Sequence, residues 1–178
     1  MPAISFISSR LIGTNAARDH AIHYQHSEIG YNYRMSNICA GIGRGQMEVL
    51  DEHVAKRRAM HDFYEGLFKD QESVSVLSEI NTDYFSNFWL SAITIDSKQN
   101  NGKSSDDLRL LLEKENIESR PLWKPMHLQP VFSNAPYYGG AVSEKLFENG
   151  LCLPSGSNLT SNDKERIKNC VNKFLKFQ

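Results

Sequence analysis

Between Ser36 and Lys69, apolar residues return close to every third or fourth position, as Ile38, Ile42, Val49, Leu50, Val54, Met60, Phe63, Tyr64 and Leu67. That period sets them along one side of an α-helix, so the pattern predicts a single long helix, straight or bent, over about 36–69. Gly41, Gly43 and Gly45 fall inside it, each costing roughly 1 kcal/mol relative to alanine. A helix that keeps them needs another backbone to approach closely in return. The run is not a dinucleotide loop, because the glycine spacing is wrong and no strand leads into it. Lys56 lies further along with Arg57 and Arg58 on a charged stretch and reads as a solvated helix lysine.

Directly before this helix stands Gly30-Tyr31-Asn32-Tyr33-Arg34-Met35-Ser36-Asn37-Ile38. Arg34 offers a planar fork of donors matched to phosphate or carboxylate, and Asn32 adds a neutral donor and acceptor. Tyr31 and Tyr33 flank them and are expected to limit water access. Ser36 or Asn37 can cap the helix, whose first turn adds backbone donors and the positive end of a dipole. The segment therefore reads as an anion site, or equally as a polar loop whose two aromatics anchor a helix start.

Downstream, Val74-Ser75-Val76-Leu77 and Phe88 to Ile95 read as strands, the second central, both rich in β-branched or aromatic residues. Asn100-Asn101-Gly102 marks a loop, and Ser104 with Asp107 makes a capping pattern for a helix to about Asn116 whose apolar face is Leu108, Leu111 and Leu112. Ile117 to Arg120 is a short strand stopped by Pro121. The prolines that follow and the Tyr137-Tyr138-Gly139-Gly140 turn preclude regular structure up to about Val142. Helices are expected over 142–149, ended by Gly150, and over 161–175, capped by Thr160 with Asp163.

A chain of 178 residues, 40% hydrophobic, can bury one core. A net charge of -1 supplies no field for nucleic acid or an anionic membrane, so any phosphate binding must be local. Neither is an expected partner. The run Ala3 to Ile7 is too short to span a bilayer and lacks the features of a signal peptide. Cys39, Cys152 and Cys170 are odd in number and sit beside apolar residues, the pattern of buried free thiols in a reducing compartment, which points to the cytoplasm.

The loop from Arg120 to His127 is the second chemical constellation. Arg120 and Lys124 are permanent cations, His127 titrates near neutrality, and Trp123 can stack on a ring. Together they suit a nucleotide diphosphate as a substrate-binding set. The bland alternative is a solvated loop whose indole packs the domain. His20, His23 and His26 recur every third residue near Glu28, yet the Gly30 and aromatic run that follows favours an irregular path, and no metal site is expected. Ser155 lacks the Gly-x-Ser-x-Gly setting of a nucleophile and reads as a turn.

Four blocks, in order, carry a resemblance: His26 to Asn37; Gln46-Met47-Glu48 with Lys56-Arg57-Arg58; Ser119 to His127; and Gly150 to Gly156. From about Arg18 onward the chain resembles the C-terminal half of the DegT/DnrJ/StrS nucleotide-sugar aminotransferases, which depend on pyridoxal phosphate. The resemblance implies an α/β (α+β) fold, the small C-terminal domain of an aspartate-aminotransferase-like, fold type I enzyme. Its parts are a long N-terminal helix at about 36–69 and a small, mainly antiparallel sheet with flanking helices. Residues 1–17 are a divergent segment, 18–178 the small domain, and the catalytic large domain is expected to be absent from this chain.

The same resemblance assigns Asn32 and Arg34 to the cofactor, Asn32 to its phosphate across a subunit interface, and places the loop of Arg120, Trp123, Lys124 and His127 on the sugar-nucleotide side of the cleft. The family's cofactor-bearing lysine has no counterpart before Lys56, the first lysine of the sequence. No catalytic residue is therefore assigned, and this chain alone is expected to be inactive. The implied partners are a nucleotide-diphosphate sugar, glutamate as amino donor, and a second copy or a complete paralogue, with the product feeding polysaccharide synthesis. A non-catalytic remnant that binds sugar nucleotide and a plain α/β interaction module remain as alternatives.

Overall fold

The computed structural model describes Asp19, His26, Ser27, residues 29–31, Tyr33 and residues 35–176. These fall into two compact units, with the division after Leu50. In the first, Ser27 donates from its backbone N–H and its hydroxyl to Asp19. The rings of Tyr31 and Tyr33 stack with centroids 5.9 Å apart. Helix α1, Asn37–Glu48, starts at Ser36, whose Oγ accepts from the Cys39 N–H at 3.2 Å, so the expected cap is in place.

The single helix expected over 36–69 is two. The backbone turns out of helical geometry at Val49 (φ -117°, ψ 9°), and α2 begins afresh as Leu50–Phe68. Three glycines in the preceding turns and a β-branched residue at the break lower the helical preference where the ladder stops. Around Gly41, Gly43 and Gly45 no described atom lies within 4 Å of where a Cβ would stand. The close approach that would justify them is therefore not supplied by the described residues of this chain.

The second unit is built on a four-stranded antiparallel sheet in the order β1 (Val74–Val76), β2 (Ser91–Ile95), β4 (Gly150–Leu153), β3 (Arg120–Pro121). β2 is one of its two inner strands, as its sequence suggests. It is shorter than expected, because Phe88 takes a left-handed backbone (φ 43°) that extended pairing cannot accommodate. β4 was not anticipated. Its four residues Gly-Leu-Cys-Leu are all buried and give no polar alternation to mark a strand. β3 lies at the end of the segment expected to be extended, and the long loop after it contains two single-turn 3-10 helices, Met126–Leu128 and Pro130–Phe132.

Helices α3 (Ser105–Lys114), α4 (Val142–Asn149) and α5 (Ser161–Lys176) complete the unit. Both expected capping boxes form. Ser104 Oγ accepts from the Asp107 N–H while Asp107 accepts from Ser104, and Thr160 and Asp163 exchange bonds in the same way. The core gathers Met60, Tyr64 and Phe68 from α2, Leu108 and Leu112 from α3, and Ile167, Val171 and Phe174 from α5 against Ile93, Ile95, Leu151 and Leu153 of the sheet. Ile93 and Leu151 sit directly opposite across the β2–β4 ladder. Tyr64 is fully buried and donates to the Pro154 carbonyl at 2.8 Å.

Candidate functional site

The second unit carries a groove of about 690 Å³ above β3, the end of β4 and the start of α5. Its floor is apolar, with Leu153, Leu159 and Ile167, and its mouth carries Trp89, Trp123, Arg120 and Arg166. The two indoles are tilted toward each other with centroids 6.2 Å apart. A planar ring seated between two others needs roughly 7 Å, so a small opening of this jaw admits one. These are the only two tryptophans of the sequence, and both are exposed.

The Trp89 wall of the groove is held from behind. The Trp89 carbonyl accepts from Arg57 Nη1 at 2.7 Å and from Ser155 Oγ at 2.8 Å, and the same Arg57 nitrogen reaches the Ser155 carbonyl at 3.2 Å. Arg58 bonds both oxygens of Glu79 and the Ser86 carbonyl, and its guanidinium lies over the Phe85 and Phe88 rings. The Arg58 bond, with the Ser86 N–H second, brings the Glu79 carboxyl down to about 2. Phe88 stacks on the buried His61 ring at 3.6 Å, and its N–H is held by Ser86 Oγ. Such a left-handed bulky residue costs on the order of 1–3 kcal/mol, which this packing offsets.

Arg57 and Arg58, on the charged stretch beside Lys56, are engaged by the fold. They are half-buried struts tying α2 to the loop that delivers Trp89. Lys56 is solvated as expected, being exposed and paired with Glu52 at 2.6 Å. Ser155, expected to be only a turn residue, is buried and donates to the groove wall.

Of the four candidate substrate residues, the structure brings Arg120 and Trp123 into the groove and leaves Lys124 and His127 out of its lining. Arg120 is exposed and paired with Glu118, Nε to Oε1 at 2.8 Å. Lys124 is exposed on the loop beyond Trp123. His127 turns the other way: its Nε2 lies 2.9 Å from Glu144 Oε1 and its ring stacks on Tyr137 at 3.8 Å. The rim is electrically balanced, with Arg120 and Arg166 against Glu118 and Asp163. Thr160 holds the Asp163 carboxyl below its ordinary range, so it stays ionised.

Asn32 and Arg34 lie outside the described residues, as do His20, His23 and Glu28. Tyr31 and Tyr33, which flank Asn32, are exposed. Of the three cysteines, Cys152 and Cys170 are buried and Cys39 is exposed, against the expectation of three buried thiols. Cys39 shows its side chain because α1 has no buried residue at all. Burial pushes the Cys152 and Cys170 thiols up, leaving them unreactive at neutral pH. A His61, Asp62 and Glu65 group is the one constellation with metal-ligand spacing among the described residues, but His61 Nε2 lies 3.3 Å from both the Leu77 carbonyl and Ser78 Oγ, and Ser78 Oγ donates to Glu65. No described helix is long and apolar enough to cross a membrane.

A sequence profile of the DegT/DnrJ/EryC1/StrS aminotransferase family matches residues 7–172. EpsN of Bacillus subtilis, described as a pyridoxal phosphate-dependent aminotransferase, is 48% identical over 155 residues, which are 85% of this chain and 39% of that protein. The GDP-perosamine synthase of Escherichia coli O157:H7 is 33% identical over 156 residues, 86% of this chain and 41% of the other. Helicobacter pylori PseC, an aminotransferase of pseudoaminic acid biosynthesis, superposes with a TM-score of 0.79 over 96% of this chain and 46% of its own, at 20% identity. That likeness shows the fold, that of fold type I aminotransferases. The chain spans about two fifths of the length of the curated relatives it matches.

Proposed function

Because the chain belongs to the DegT/DnrJ/EryC1/StrS aminotransferase family, we propose that it serves amino-sugar formation on nucleotide-linked keto-sugars for surface polysaccharide, and that its own part is to hold the nucleotide end of that substrate. The observation that carries this reading is the groove, where two exposed indoles lie 6.2 Å apart, tilted by 38°, in the same lining as Arg120. In this reading the base enters between Trp89 and Trp123, and the diphosphate takes Arg120 from Glu118. The exchange is inexpensive, because an exposed ion pair such as Arg120–Glu118 is worth about 0–1 kcal/mol, whereas charge-assisted bonds to phosphate are stronger.

Pyridoxal phosphate is the cofactor of this family, but the groove does not suit it. No lysine lines it, and Lys56 is turned to solvent and paired with Glu52. The groove is accordingly a recognition surface, and the cofactor phosphate is left to Asn32 and Arg34, as the resemblance assigns. Glutamate is the proposed amino donor. The exposed apolar side chains of α1, Ile38, Ile42 and Met47, support pairing with a second copy or a longer relative, in the cytoplasm where free thiols persist.

Titration of the purified chain with a uridine diphosphate sugar tests the proposal, since both tryptophans report on the groove. Emission should change saturably, and Arg120→Ala should weaken binding roughly 10–100-fold, the loss of charge-assisted bonds to phosphate. An unchanged spectrum at millimolar ligand overturns the assignment of the groove. The alternative of a plain interaction module would then stand.

A further inference from the structure

We propose that His127 is a positioning residue: by clasping Glu144 it fixes the loop that carries Trp123, and thereby sets the width of the indole jaw. The inference rests on the groove being the nucleotide site, but the clasp is read from contacts that do not involve a ligand.

Trp123 is the exposed tip of a segment anchored at both ends of α4: at Gly150, where β4 begins, and at Glu144, in the first turn of the helix. On the N-terminal side, Leu122 lies against Gly150, the first residue of β4. A Cβ at that glycine would stand 2.2 Å from Leu122 Cδ1, so the leucine occupies space that only glycine leaves. On the C-terminal side, His127 reaches α4 one and a half turns earlier, at Glu144, with its Nε2–H donating to the carboxylate at 2.9 Å.

Between the anchors the chain has little freedom. Pro125 is buried and fixes its own φ. The Lys124 carbonyl accepts from Gln129 Nε2 at 3.3 Å. The turn that bears His127 is closed by the Leu128 N–H on the Pro125 carbonyl. The far side of the imidazole is covered by Tyr137, whose hydroxyl donates to the Gly140 carbonyl at 2.5 Å, so the returning limb of the loop is strapped to the same ring. His127 is therefore the point at which both limbs of the loop meet α4. Without it, the C-terminal limb of the loop loses its bond to α4, and Trp123 is held from the β3 side, by Leu122 and the β3–β4 pairing, with only Pro125 and the loop's own bonds behind it.

The test uses the full chain carrying Trp89→Phe, so that Trp123 is the sole indole, and reads its time-resolved fluorescence anisotropy without ligand. His127→Leu and Glu144→Leu should each lower the residual anisotropy of Trp123, the double variant should lower it no further than either single one, and His127→Gln, which keeps a donor, should restore part of it. A merely structural role would leave the indole signature unmoved in folded protein. In the chain that retains both tryptophans, a loop held only a tenth of the time would bind the uridine diphosphate sugar about tenfold more weakly. Should His127→Leu fail to fold by circular dichroism, Glu144→Leu carries the test alone. Native-like anisotropy in a folded clasp variant, or additive losses in the double variant, overturns the proposal. If the clasp variants loosen Trp123 while the parent chain binds no sugar nucleotide, the clasp stands and the nucleotide assignment of the groove falls.

Discussion

Replacing Gly150 by alanine should destabilise the second unit through one overlap whose size the structure fixes. Gly150 sits at φ -92° and ψ 145°, a backbone open to any residue, so alanine meets no conformational obstacle there. On its own the change would stabilise by about 0.4–1 kcal/mol, by restricting the unfolded chain. Space decides otherwise. The new methyl would stand 2.2 Å from Leu122 Cδ1, 2.6 Å from Leu122 Cγ and 2.2 Å from the Leu146 carbonyl oxygen. Comfortable carbon contacts lie at about 3.5–4.0 Å, so each falls short by roughly 1 Å or more.

Leu122 can rotate aside, but the Leu146 carbonyl belongs to α4, and β4 is held in register by Thr94 opposite Gly150 and Ile93 opposite Leu151. Overpacking of this kind costs about 1–3 kcal/mol, leaving a net loss of about 1–2 kcal/mol. For a unit spanning residues 51–178 that lowers Tm by roughly 4–8 °C. Thermal unfolding followed by far-ultraviolet circular dichroism measures it, and Trp123 emission should shift as Leu122 is displaced. A Tm equal to or above that of the parent chain would refute the packing of Leu122 on Gly150.

Glu79 gives a pH-dependent test. Its carboxyl is held down to about 2 by Arg58 and the Ser86 N–H, against an ordinary value of 4.5. Its contribution is therefore complete above about pH 4.5 and lost as the pH falls toward 2. The stability gap between the parent chain and Glu79→Gln, from urea unfolding at several pH values, should close over that interval; a gap independent of pH contradicts the pairing. Arg57→Met removes the donor shared by the Trp89 and Ser155 carbonyls and should cost about 1–3 kcal/mol. The urea midpoint reads this directly, and an unchanged midpoint would show that Ser155 Oγ alone secures Trp89.

What was legible in the sequence was local. The boxes at Ser104–Asp107 and Thr160–Asp163 close over three residues, so their side chains announce them. Arg120 and Trp123 were legible as loop chemistry because an arginine and an indole among prolines have few uses. The break at Val49 was not, since the apolar period runs through it unchanged. Neither was the role of Trp89, which depends on a left-handed Phe88 and on Arg57 thirty-two residues away. The contact of His127 with Glu144 spans seventeen residues; the sequence names both groups, but only the folded path of the loop turns the imidazole toward the helix and away from the groove.

Asn149 ends α4 and Gly150 begins β4, with no residue between them. A junction without slack tolerates no change in length. One inserted residue would turn each side chain of the strand to the opposite face, carrying Leu151 and Leu153 away from the helices they seal. Length variation across the family should accordingly concentrate where turns give room, around 98–103 and 133–141, and spare this joint. Homologues that break the rule should show a compensating bulge within the strand.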